Sequence, residues 1–204
     1  MKPLSADIAA RMAVTVGDGP RIEPLGHHEL SEEMRVLTGN VRASAGADAV
    51  EIEPEYMRTM ARHPAIFRCH MEMGTAIFRG LLLARERELA VLRIGWLCGA
   101  PYEWGEHVDI AHRAGISGDE IERVTAGSSA PGWNVHDAAI LRGVEELLAD
   151  KVLSDSTWAA LAATWDEPRL IEYVMMVGQY VATAFVQNSL RVRLMSDNPG
   201  LSHR

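Results

Sequence analysis

Glu103 and His107 stand four residues apart in the stretch Tyr102-Glu103-Trp104-Gly105-Glu106-His107. On a helix this spacing puts both side chains on one face, about 5–6 Å apart at Cβ, so the carboxylate reaches the imidazole. Imidazole gives and takes protons near neutral pH, and an adjacent carboxylate fixes its tautomer and raises its pKa. Glu88, on the apolar segment just before, approaches the same ring if the two segments form an antiparallel helical hairpin. One histidine between two carboxylates is an acid–base centre, with Tyr102 as a hydroxyl donor at its rim. The same three side chains also suit Zn²⁺ or Fe²⁺ ligation. A solvated surface pair, or a buried structural triad, would look identical in sequence.

The elements that must hold these residues are helical almost throughout. Alternating stretches rich in Val, Ile and Thr are missing, whereas helical spacing and helix punctuation recur after residue 28. Residues 1–28, with Gly17, Gly19, Pro20, Pro24 and Gly26, read as an extended arm carrying one short helix. The domain proper then spans 29–204. Helices are expected over 31–45, 53–62 and 64–79, with Pro64 suited to a first turn. The segment 85–99 is the most apolar and should be central. Pro101 permits a new start, giving a helix over 102–114. Ser117-Gly118-Asp119-Glu120 is a capping box opening the next, which ends at Gly127. After the loop Ser128-Ser129-Ala130-Pro131-Gly132, helices follow near 135–150, 154–164 and 168–192. About eight helices with short joints make a single all-α domain. Ala90-Val91-Leu92-Arg93 recurs as Ala139-Ile140-Leu141-Arg142, which fits a duplicated helical hairpin.

Composition bounds the partners. The 204 residues carry 28 acidic against 20 basic side chains, a net charge of −8. Nucleic acid and anionic membrane surfaces would repel such a chain. Cys69 and Cys98 cannot form a disulfide framework and suggest a reducing compartment. Neither an apolar leader nor a span of about 18 uncharged apolar residues is present, so a cytoplasmic protein is expected. His27-His28 read as arm residues, His63 and His70 as core or surface residues, and His136 with Asp137 as capping residues. The apolar helix 170–186, with Met175 and Met176, reads as a packing surface between copies of the chain.

Arg87-Glu88-Leu89-Ala90-Val91-Leu92-Arg93, then Trp96-Leu97-Cys98-Gly99, then Tyr102 to His107, resemble the carboxymuconolactone decarboxylase family. Its superfamily also holds the alkyl hydroperoxide reductase D-type peroxidases. Ala114-Gly115-Ile116-Ser117, Asp155-Ser156-Thr157-Trp158, Val177-Gly178-Gln179-Tyr180 and Asn188-Ser189-Leu190 resemble longer members, so the likeness covers roughly 50–195. It implies an alkyl hydroperoxide reductase D-like orthogonal helical bundle, assembled as dimers or trimers.

In the family's redox branch a Glu is followed by Cys, Cys and His at fixed offsets. Counted from Glu88 these fall on Ala100, Glu103 and His107. Glu and His are kept, and both thiols are replaced. A disulfide-cycling peroxidase needs the pair, so peroxide chemistry is disfavoured and Cys98 reads as a helix cysteine. The resemblance instead implies a cofactor-free lyase of aromatic-compound breakdown acting on a small organic acid or lactone. His107 would donate the proton while Glu88 and Glu103 orient it. Isomerase, hydratase and lactone hydrolase chemistry use the same groups. Tyr102, Arg79, Arg85, Arg93, Cys98 and Trp104 are the expected substrate contacts, the arginines for a carboxylate. A redox protein and a non-enzymatic oligomeric binding module are the alternatives. No metal or cofactor is required.

Overall fold

The computed structural model of the chain describes residues 8–47 and 51–204. The first seven residues of the expected arm, and residue 50 at the edge of the resemblance, lie outside them. Ten helices stand among the described residues: α1 (Ile8–Thr15), α2 (Glu32–Ser44), α3 (Glu55–Met60), α4 (Pro64–Phe78), α5 (Ala84–Leu97), α6 (Pro101–Arg113), α7 (Gly118–Ala126), α8 (Val135–Ala149), α9 (Asp155–Ala162) and α10 (Glu167–Leu190). The fold is all-helical, 68% helix, as expected. None of these helices is long and apolar enough to cross a membrane.

Local chemistry sets the boundaries. Ser117 Oγ accepts from the Glu120 amide at 3.3 Å while Glu120 Oε2 accepts from the Ser117 amide at 3.0 Å. Both ends of the capping box are closed, satisfying two amides at the start of α7. Asn134 and Ser154 cap α8 and α9 in the same way through their side-chain oxygens. Pro64 and Pro101 occupy first turns, where the missing N–H costs nothing.

α5 is the centre of the core. Eleven consecutive residues, Glu86 to Trp96, are buried, because α6, α8, α10 and α7 all pack on it. The turn Cys98-Gly99-Ala100 folds α6 back along α5, and Gly99 takes φ 52°, a conformation that favours glycine. α8 and α9 form a second hairpin, with α8 against α5. The repeated tetrapeptides occupy the centres of α5 and α8, with Leu92 and Leu141 fully buried.

Burying so much of α5 forces its charges to find partners. Arg87 Nε donates to Glu88 Oε1 at 2.8 Å. Arg93 pairs with Glu145 at 2.9 Å and donates to the Val124 and Thr125 carbonyls, both at 2.9 Å. Glu86 accepts from Trp165 at 3.1 Å and pairs with His136 at 3.0 Å. The run Arg85-Glu86-Arg87-Glu88, whose simplest reading is a solvated face, is thus largely interior.

The described part of the arm is fastened down. Arg11 donates to the Gly99 and Cys98 carbonyls at 3.0 and 2.7 Å, tying α1 to the α5–α6 turn. His27 is not a free arm residue either, because its Nδ1 lies 2.7 Å from Glu53 Oε2.

Candidate active site

The α5–α6 hairpin places Glu88 and His107 against each other. Glu88, 0% exposed, sits on α5 with Oε2 at 2.7 Å from His107 Nδ1. Its other oxygen is taken by Arg87. The imidazole is therefore held at Nδ1, and Nε2 is the nitrogen left for the cavity that His107 lines. Phe78 stacks on the ring at 6.3 Å between centroids and Tyr180 meets it edge-on at 5.1 Å, so its plane is fixed as well. Burial opposes a positive charge on His107, but Glu88 at hydrogen-bond distance and the nearby Glu103 outweigh it and hold the pKa above its ordinary value.

Glu103 differs from expectation in an informative way. The i, i+4 spacing predicts contact with His107, yet the imidazole turns to Glu88 and Glu103 remains a separate group. It is 2% exposed, in the first turn of α6, and its Oε1 has no hydrogen-bond partner. Burial drives its pKa up to about 7, against the pull of His107 and of the Gln187 amide. A buried carboxyl whose pKa is pushed towards neutrality, beside an oriented imidazole, has the chemistry to exchange protons. It sits where the redox branch of the resembled family carries its second thiol.

Both groups belong to the wall of a cavity of about 280 Å³ between α2, α3, α4, α6 and α10, somewhat small for a ligand site. Much of the wall is aromatic: Tyr56, Phe78, Tyr102 and Tyr180. Tyr102 lies where the sequence suggested. Tyr56, His70, Gln179, Thr183 and Gln187 also line it; the sequence places none of them at the site, His70 reading as a core or surface residue and Gln179 only as part of a family-like stretch. Tertiary packing alone brings α3, α4 and α10 to the site, and the only sequence signal was that they hold polar groups within apolar helices.

The other expected contacts lie elsewhere. Arg79 is exposed and does not line the cavity. Arg85 bridges Glu120 and Asp137 at 2.6 and 2.9 Å, and Arg93 is spent on α7 and Glu145. Trp104 is fully buried in the core, its indole N–H donating to the His203 carbonyl at 3.0 Å. The cations that do line the cavity are Arg42 and Arg113. Cys98 caps the end of α5, outside the cavity lining, and burial pushes its thiol up to about 11. Cys69 is exposed, and both thiols are free. Among the described residues no three His, Cys, Asp or Glu side chains gather as metal ligands would, Glu88 being committed to Arg87 and His107.

Residues 64–142, from α4 into α8, match the model of the Carboxymuconolactone decarboxylase family. Among solved structures, the alkylhydroperoxidase AhpD core of a peroxidase-related protein from Ralstonia eutropha JMP134 superposes with a TM-score of 0.73 at 17% identity, covering 87% of this chain and 93% of its own. The debrominase Bmp8 superposes at 0.72 with 12% identity over 87% and 93%. A Bmp8 variant in complex with 2,3,4-tribromopyrrole gives 0.71 at 13% over 87% and 92%. Identities this low establish the fold alone. No curated protein sequence matches the chain.

Proposed function

From a carboxymuconolactone decarboxylase family segment set in an AhpD-like helical fold, we propose a cofactor-free lyase-type enzyme acting on a small organic acid or lactone. The family and its neighbours support an enzymatic role at that coarse level. The observation that carries the finer reading is Glu103, a buried carboxyl in the cavity wall with an unpartnered oxygen, its pKa pushed up to about 7 by burial.

In the decarboxylation, the C–C bond to the substrate carboxylate breaks and carbon dioxide leaves. The electron pair passes into a conjugated carbonyl, giving an enolate, and no external electron sink is needed. A proton then returns to carbon. Protonated Glu103 and the Nε2–H of imidazolium His107 are the two acids in the wall, and solvent restores the proton afterwards. Glu88 holds the His107 tautomer and favours its charged form, and Arg113 at the wall faces the substrate's negative charge. Acid and base groups of pKa near the working pH serve this step well. Isomerisation or hydration of the same substrate class would use the same pair. Residues 102–107 and the wall, not the thiols, define this chemistry.

A thermal-shift screen of small lactones, keto acids and aromatic acids tests the reading, since a ligand that binds only the folded state raises apparent stability. At least one class should stabilise wild type and Cys98→Ser equally and be turned over by both. Loss of turnover in Cys98→Ser would return the chain to thiol chemistry.

We further propose that the chain self-associates through α10. Its outward positions Ile171, Met175, Gly178, Ala182 and Phe185 repeat at four- and three-residue steps, with Ile171 and Phe185 more than 60% exposed. That spacing makes a helix–helix seam. Phe185→Glu should yield monomers in sedimentation, and an unchanged sedimentation coefficient would remove the idea.

A further inference from the structure

In the same cavity wall as Glu103 and His107, three side chains the acid–base account does not use form a chain of their own. Tyr56 Oη lies 2.7 Å from His70 Nε2, and His70 Nδ1 lies 2.7 Å from Gln179 Nε2. They come from α3, α4 and α10, and all three line the cavity.

The direction of this chain follows from its end. An amide nitrogen has only hydrogens to offer, so Gln179 donates to His70 Nδ1, which must carry the lone pair. The ring proton then sits on Nε2 and is donated to the Tyr56 oxygen. Burial lowers the His70 pKa, consistent with a neutral ring. The Tyr56 hydrogen is not spent on His70. Thr183, the other polar side chain beside the phenol, gives its own hydrogen to the Gln179 carbonyl at 2.9 Å. A ligand oxygen bearing negative charge is a stronger acceptor than a hydroxyl. Tyr56 is 6% exposed, and its ring packs on Tyr102 at 6.0 Å between centroids.

We propose that Tyr56 is an oxyanion donor, positioned by His70 and Gln179, and that the cavity takes planar ligands whose oxygen carries phenolate or enolate charge. The enolate of the proposed reaction is such a ligand, and to that extent the inference rests on the acid–base reading. Binding tests it without turnover. A donor oriented before charge develops loses nothing to reorganisation when it does.

The probe is 4-nitrophenol, titrated below pH 7, where the free ligand is mostly neutral and Glu103 mostly protonated. Its ionised form has its own absorbance band. Wild type should bind it with the ionised fraction raised above that in free solution. Tyr56→Phe should weaken binding about tenfold or more, as expected for a hydrogen bond to a charged group, and return the ionised fraction to the free value. His70→Leu should move both readouts the same way, and His70→Gln, which can still donate to the phenol, should recover part of the ionised fraction. Failure of wild type to bind, or an ionised fraction unmoved in Tyr56→Phe, overturns the proposal. Glu103→Gln separates the two readings. If it keeps the raised ionised fraction yet also keeps full turnover, Tyr56 stands and the acid–base reading falls.

Discussion

Glu103→Gln should lower turnover by about 10²–10⁴-fold, the usual worth of a positioned general acid or base, while making the protein more stable at alkaline pH. The second half of the prediction follows from linkage. Glu103 is raised from 4.5 in the unfolded chain to about 7 in the folded one. Between those values the folded state holds a proton that the unfolded state has released, so stability falls as pH rises through this window. Above it the folded state carries a buried carboxylate at a cost of about 3 kcal/mol. Glutamine keeps the shape and removes the charge. Urea midpoints at acid and alkaline pH check this: the variant should gain on wild type as pH rises from about 4.5 to about 7 and keep that gain above it. Active Glu103→Gln enzyme, or a variant no more stable at high pH, contradicts the role given to Glu103.

Glu88→Gln should do the opposite to stability. Glu88 is fully buried between Arg87 and His107, and its removal leaves Arg87 in the interior without its carboxylate. Breaking a buried pair from one side costs about 3–5 kcal/mol. The imidazole also loses the group that raises its pKa. His107 has its folded pKa above 6.5, so its contribution to stability is complete below the unfolded value and disappears as pH rises through the folded one. In Glu88→Gln that contribution should vanish, and the pH profile of turnover should lose its imidazolium limb. Circular dichroism melts and a pH–rate profile measure both effects. A variant as stable as wild type with the same profile would show that Glu88 neither pairs nor positions.

How much of this was legible in the sequence depends on the range of the interactions. Capping signals are local, so Ser117-Gly118-Asp119-Glu120, Pro64 and Pro101 marked helix starts correctly. The Glu88–His107 contact was legible because an apolar segment followed by a Gly-Ala-Pro turn has to fold back on itself. What Glu103 does was not. The spacing permitted contact with His107, but packing holds the ring between Phe78 and Tyr180 and turned to Glu88, whose other oxygen is taken by Arg87. The arginines failed for a related reason. Arg85 and Arg93 are drawn to Asp137 and Glu145 on α8, a packing event that helical periodicity does not encode. Tyr56, His70 and Gln179 are far apart in the chain, and no spacing rule joins them.

The central claim is that Glu103 is a carboxyl titrating near neutrality in the cavity wall. Infrared difference spectra across pH 5 to 9 measure it without any substrate, because only a protonated carboxyl shows the acid carbonyl band. Wild type should lose one such band with a midpoint near 7, and Glu103→Gln should lack that transition. Absence of the transition in wild type, or its persistence in the variant, would contradict the account.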